Sequence, residues 1–288
     1  MRQPDAVHPA PTHTPAIAPS WMPRALLLGM LLLLGACGVV EERDRAPRDP
    51  PTDLHRIPDA EPRWEPRSRY GNPESYEVFG VRYRTLPTAE GYVERGVASW
   101  YGVKFHGRRT SSQEPYDMYA MTAAHRSLPL PSYVAVTNLE NGRRVVVRVN
   151  DRGPFHANRI IDLSYAAAVK LGFAERGTGL VEVRAVTPGA PAGPASASRP
   201  APSPVPASGG ERPRLFLQVG AFAERGNALR LRERLYGAVG VPVLIASGSD
   251  GAPLHRVRLG PVANVHDLDR LVARLAEWGI HDAHVVIQ

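Results

Sequence analysis

"RRVVVRVNDRGPFHANRIIDLSYAAAVKLG" (residues 143–172) holds both a strand signal and a helix signal, with a bare carboxylate between them. Val145 to Val149 form a β-branched run that stops at Asn150 and Asp151, and "DRGP" then makes a turn whose Gly153 and Pro154 restrict the backbone that carries the acid. Further on, Ser164 stands where a helix N-cap belongs, an Ala-rich body follows, and Gly172 is the expected stop. Asp151 therefore has two readings: a turn residue that closes a strand, or an acid held out toward a substrate. Residue type alone favours the turn.

Outward from this stretch, the chain reads as short strands around that one helix. "SYEVFGVRYRTL" and "YVERGVASWYG" are rich in aromatic and β-branched residues, "YVAVTN" and "RRVVVRVN" flank a turn at Asn141-Gly142, and "GLVEVRAV" closes the set. Many short strands, Gly/Pro loops and an isolated helix predict a small β-barrel over residues 70–187 rather than a parallel α/β sheet.

Residues 213–288 repeat themselves. "LQVGAFAERGNALRLRERL" and "VRLGPVANVHDLDRLVARL" begin forty positions apart, at Leu217 and Val257, and each is followed by another strand, "PVLIAS" and "AHVVIQ". The pattern predicts an α+β unit of βαββαβ order, the split-βαβ arrangement. Between the two units, residues 188–212 are mostly Pro, Ala, Ser and Gly, a linker that extends to roughly 80 Å at most. With 288 residues and 29 prolines, two small domains joined by non-globular segments fit the composition.

The N-terminal region predicts export. Arg24 precedes an apolar run, Ala25 to Leu34, too short to span a bilayer, which reads as the h-region of a signal peptide over residues 1–36. Leu34-Gly35-Ala36 leads into Cys37, the chain's one cysteine, and this resembles the lipobox of bacterial lipoproteins, in which that Cys is lipidated and becomes the mature N-terminus. The stretch before Met22 is long for such a signal, so translation is expected to begin at Met1 or Met22. Gly38, rather than Asp, after the Cys favours sorting to the outer membrane. With Cys37 lipidated no intrachain disulfide or thiol chemistry remains. Residues 37–69 are charged and Pro-rich without a hydrophobic period, and read as a disordered tether.

The pieces Ala98-Ser99-Trp100-Tyr101-Gly102, Phe105-His106-Gly107-Arg108, Thr122-Ala123-Ala124-His125, Leu128-Pro129-Leu130-Pro131 and Asn150-Asp151-Arg152-Gly153-Pro154 occur in that order. Together they resemble the six-stranded double-psi β-barrel of the rare lipoprotein A family, whose active members are septal lytic transglycosylases of peptidoglycan. The repeat unit, with "LQVGAF" as its most typical element, resembles a sporulation-related (SPOR) domain, which in related proteins binds glycan strands stripped of stem peptides. The resemblance implies an endolytic enzyme that cleaves the MurNAc-β-1,4-GlcNAc bond, enriched at the division septum on the periplasmic side of the outer membrane. It implies no cofactor and no metal. A non-catalytic, expansin-like wall-binding protein built from the same parts is the alternative.

Cleaving a glycosidic bond needs a carboxylic acid to protonate the leaving oxygen and a group to stabilise the oxocarbenium-like charge. A lytic transglycosylase uses the muramic acid's own 6-hydroxyl in place of water, so one carboxyl serves as acid and then as base. The resemblance assigns that work to Asp151 and Glu114, with His125 helping to form the site. Glu114 follows Gln113 where the family pattern usually has Gly; a positive φ there costs Gln about 1 kcal/mol. On sequence alone Glu114 is a solvated loop acid and His125 is structural.

Candidate glycan contacts in the barrel are Tyr101, Phe105, His106 and Arg152, and in the repeat unit Gln218, Phe222, Arg256 and Arg258. The aromatics are equally compatible with core packing, and the arginines with a solvated sheet face. His106, His125, Asp151 and His156 are metal-ligand types but show no compact ligand spacing. The net charge of +7 does not point to nucleic acid, because an exported chain leaves that compartment and carries no recognition motif. No motif identifies a partner in the division machinery.

Overall fold

The computed structural model describes residues 44–156, 158–189, 213–247 and 254–288; the expected signal peptide, Cys37 and most of the Pro-rich linker lie outside them. A two-stranded hairpin, β1 (Ser75–Val78) and β2 (Val81–Arg84), stands apart from the barrel in its hydrogen bonding. The barrel strands are β3 (Val93–Tyr101), β4 (Thr122–His125), β5 (Ser132–Asn138), β6 (Arg144–Asp151), β7 (Arg159–Ser164) and β8 (Thr178–Ala185), closed in the order β3-β7-β4-β6-β5-β8. Two pairs, β3 with β7 and β4 with β6, run parallel; the other neighbours are antiparallel. Closure leaves no sheet edge for another chain to pair with.

The interior is aliphatic. Val134, Val136, Val145, Val147, Val149, Ile161, Leu163, Val181 and Val183 are each at most 1% exposed, and burial of such a side chain is worth about 1.5–3 kcal/mol. The alternation of β6 puts Val145, Val147 and Val149 inside and leaves Val146 and Arg148 outside. β7 feeds directly into α1 (Tyr165–Leu171), where Ser164 Oγ accepts from the Ala167 amide and Gly172, at φ 78, ends the helix. Both caps were legible in the sequence.

Strands β4 and β7 were not. "TAAH" and "RIIDLS" lack the β-branched alternation that marks a half-buried strand, and their pairing comes from neighbours distant in sequence.

The segment expected to be a disordered tether departs from that expectation from Asp44 onward. Asp44 accepts from the Gly102 and Lys104 amides at 2.7 and 3.1 Å, and Leu54 is 4% exposed in a one-turn helix. Ala60 donates to Val146 O while Asp59 accepts from Val146 N, and Ser68 donates to Leu130 O. Polar anchors hold this strap, so no hydrophobic period announces it. Gly102 allows the closest approach: a Cβ there would lie 2.4 Å from Arg45 O.

The repeat unit is an antiparallel sheet of β9 (Leu215–Phe222), β10 (Val243–Ser247), β11 (His255–Val262) and β12 (His284–Ile287) in the order β10-β11-β9-β12, with α2 (Arg225–Leu235) and α3 (Val265–Glu277). The βαββαβ order matches the internal repeat. Asn264 caps α3 through the Asp267 amide.

Candidate active site

A β-bulge decides where Asp151 points. Val149 pairs with Ala123 and Asp151 with Ala124, so the ladder skips Asn150. Strict alternation would send Asp151 to the same side as Val149, into the barrel; the extra residue turns it to the outer face. There Asp151 Oδ1 accepts from the Ser111 amide, the Ser111 hydroxyl and the Arg152 amide, each at 2.7 Å.

Glu114 reaches the same face from the loop before β4. Gln113 does adopt a positive φ, 70°, and the tight loop is closed by Gln113 N to Thr110 O and Thr110 N to Glu114 O. Gln113 thus takes the left-handed backbone that a Gly would adopt at lower cost. Its Oε2 accepts from Arg148 Nη1 at 2.7 Å and Asn150 Nδ2 at 2.9 Å, and its Oε1 from Arg148 Nη2 at 3.0 Å. Burial pushes the Glu114 carboxyl up, but the Arg148 and Asn150 donors outweigh it and the net direction is down. Arg148 also donates from Nε and Nη2 to Glu65 at 2.9 and 2.8 Å.

His125, expected to help form the site, is enclosed beneath it. It is fully buried, its Nδ1 accepts from the Ser127 and Leu128 amides, and its Nε2 lies 2.8 Å from the Tyr92 hydroxyl. Because that hydroxyl is bonded to Glu94, the imidazole donates to it as a neutral ring. Burial, and then the Arg126 and Arg152 charges, push His125 down to about 3. The ring shapes the loop that follows β4 and touches neither carboxylate.

Three of the expected glycan contacts are enclosed in the same way. Tyr101 is 8% exposed and stacked on Tyr116 at 3.9 Å, a core ring rather than a sugar wall. Arg152 spends its guanidinium on Gly71 O, His125 O, Leu128 O and Asn72 Oδ1, all within the protein. Gln218 is 7% exposed, with Oε1 3.3 Å from Arg258 Nε, so it orients that arginine. Phe105 remains 39% exposed, and His106, half-exposed, accepts at Nδ1 from the Met118 amide. Arg256 and Arg258 keep partial exposure on β11, whereas the Phe222 ring packs with the repeat unit's core.

Sequence reasoning missed Asp162. Ladder partners project to one side, so Thr178, Ser99, Asp162, Ala124 and Asp151 form a row across β8, β3, β7, β4 and β6. At about 4.8 Å per strand that row is roughly 19 Å long. A cavity of about 290 Å³ lies at its far end, lined by Asp44, Ser99, Trp100, Arg159, Gly177 and Thr178. Asp162 Oδ1 is buried without a hydrogen-bond partner among the described residues. Burial is the main cause that raises its carboxyl to about 6, with Asp44 and Asp151 pushing the same way against Arg159 and Arg126. The signal was present as an acid inside "RIIDLS", but only recognition of β7 would have read it.

A second missed feature is aromatic. Tyr76 and Tyr83 of the hairpin stack at 5.5 Å, Phe155 lies 5.5 Å from Tyr83, and Arg152 sits 5.9 Å from the Tyr76 ring centre. Among the described residues no three His, Cys, Asp or Glu side chains gather into a metal site.

Two family models match the chain, lytic transglycolase over residues 93–184, which spans the closed barrel, and SPOR domain over residues 212–286, which spans the βαββαβ repeat. The chain is similar to the endolytic peptidoglycan transglycosylase RlpA of Pseudomonas aeruginosa, 42% identical over 270 residues, covering 76% of this chain and 77% of that one. Its likeness to the RlpA of Vibrio cholerae is 39% over 265 residues, covering 90% and 95%. The chain belongs to the RlpA family. Among solved structures it is similar to the RlpA SPOR domain of Pseudomonas aeruginosa, at 36% identity, 25% of this chain, 96% of that one and a TM-score of 0.24.

Proposed function

We propose that this chain is an endolytic peptidoglycan lytic transglycosylase that cuts the MurNAc-β-1,4-GlcNAc bond of peptide-free glycan and leaves a 1,6-anhydro end. The protein is cell-wall-associated and periplasmic, as its family and its SPOR domain imply. Lipidation at Cys37, outer-membrane anchoring and enrichment at the septum complete the reading.

Asp151 acts as acid and base. Its carboxyl protonates the leaving GlcNAc O4 as the C1–O4 bond breaks; the muramic 6-hydroxyl then bonds to C1 and returns its proton to Asp151. Glu114, held ionised by Arg148 and Asn150, stabilises the positive charge at C1. Asp162, raised to about 6, lies two strands from Asp151 in the row, with Ala124 between them. Phe155, Tyr83 and Phe105 supply apolar faces for sugar rings, and Arg256 and Arg258 hold the strand on the repeat sheet.

The observation that carries this reading is the bulge that places Asp151 outside the barrel on the same face as Glu114 and Asp162. The test is to incubate the Gly38–Gln288 fragment with peptide-free glycan strands and analyse the products by mass spectrometry. Anhydro-muramyl ends are expected. Binding without any such ends rejects the enzyme and leaves the wall-binding alternative.

A further inference from the structure

Arg148 is held between two carboxylates that are 49 positions apart in sequence. One is Glu114. The other, Glu65, belongs to the strap that precedes the hairpin and the barrel. The guanidinium gives its Nε and one Nη2 proton to Glu65 and its Nη1 and other Nη2 proton to Glu114, so both edges of the planar fork are occupied. Glu65 is itself fixed by the Tyr133 hydroxyl, which donates to Oε1. Both Glu65 and Arg148 have side chains only 18% exposed, against 40% for Glu114. The inner pair is thus the frame, and Glu114 is the member that faces outward.

We infer that Glu65 is a positioning residue for Glu114: it pins the plane and charge of Arg148 so that Glu114 is presented to the sugar as a net negative group. This rests on the reading of Glu114 as the stabilising carboxylate. Two physical reasons support it. An arginine bonded along one edge by Glu65 has a single orientation for the other edge, and a guanidinium released from Glu65 swings on a flexible stem and carries Glu114 with it. Charge argues the same way. Glu65 shares the Arg148 charge that Glu114 would otherwise face alone, and Arg63, which pairs with Glu65 Oε1 at 3.4 Å, is itself 74% exposed and screened by solvent. The Arg148 donors are the first cause that holds Glu65 down at about 2, so it is ionised throughout the working pH range. Among the described residues Glu65 is therefore the one strap residue that acts on the catalytic carboxylate, from a position well before the barrel's first strand.

The test is a double-mutant cycle in the Gly38–Gln288 fragment, reading anhydro-muropeptide release. Glu65→Gln should lower kcat about tenfold with KM changed less than about twofold, and Glu65→Asp should recover part of the loss. In a Glu114→Gln background the same Glu65→Gln change should cost almost nothing more, because residues that act as a unit are not additive. Asp59→Asn, which loosens the strap at a different anchor, should leave kcat unchanged and controls for general unfolding together with a thermal melt. A silent Glu65→Gln, or a loss that repeats in full beside Glu114→Gln, overturns the inference while Glu114 keeps its role. A silent Glu114→Gln removes the assignment of Glu114 and the positioning role of Glu65 with it.

Discussion

The arginines of the barrel and those of the repeat sheet do different work. Arg148 and Arg152 are enclosed, each with several donors committed to carboxylates or carbonyls of the protein itself. Among the described residues Arg258 has one side-chain bond, a 3.3 Å contact to Gln218, and with Arg256 it keeps partial exposure on β11. Chemistry on a sugar needs groups fixed to within fractions of an ångström, so the barrel spends its cations on positioning. Holding a polymer needs donors that remain free to follow it. The same residue type therefore reads as frame in one domain and as contact surface in the other, and composition does not separate them.

The largest break in that comparison is expected at Asp151. Asp151→Asn keeps the size and the hydrogen-bond acceptor toward Ser111 but cannot cycle a proton, so anhydro-muropeptide release should fall by at least about 100-fold while the melting curve stays cooperative. Wild-type rates from the folded variant would return Asp151 to the role of turn residue. Arg148→Lys comes next. It keeps the charge but loses the fork, and turnover should drop about tenfold with little change in glycan binding. An equal loss of binding would mean that Arg148 is contact surface after all.

Removing Arg256 and Arg258 together tests the other side. Pull-down on peptide-free sacculi should weaken about three- to tenfold, since partly exposed charge contacts are worth fractions of a kcal/mol to about 1 kcal/mol each, and turnover on short soluble glycan should not change. A loss of turnover on the soluble substrate would contradict the division of labour.

The smallest effect is on stability. Asp162 is raised in the folded state, so what it contributes is fully present below its unfolded value near 4 and is lost as pH rises through about 6. Asp162→Asn should therefore raise the melting temperature at pH 7 by about 3 °C and leave it unchanged below pH 4. His125 works in the opposite sense. Its folded value is depressed, so its contribution is present above pH 6.5 and fades as pH falls toward about 3.

The sequence by itself determined much of this protein. The Val145–Val149 run, the Ser164 and Gly172 caps, the forty-residue repeat and the ordered motifs are local or periodic signals, and each reports on its immediate neighbours. They were enough for a β-barrel, a βαββαβ unit and the candidate acids Asp151 and Glu114. Only the tertiary structure decided which side Asp151 faces, because the bulge at Asn150 exists as a mismatch between β6 and β4 and has no signature within β6. It likewise decided that His125 is enclosed, that Arg152 is a brace, that Asp162 stands in the row and that Glu65 reaches Arg148. Those are contacts between residues tens of positions apart, and hydrophobic period carries no record of polar groups that meet only when the barrel closes.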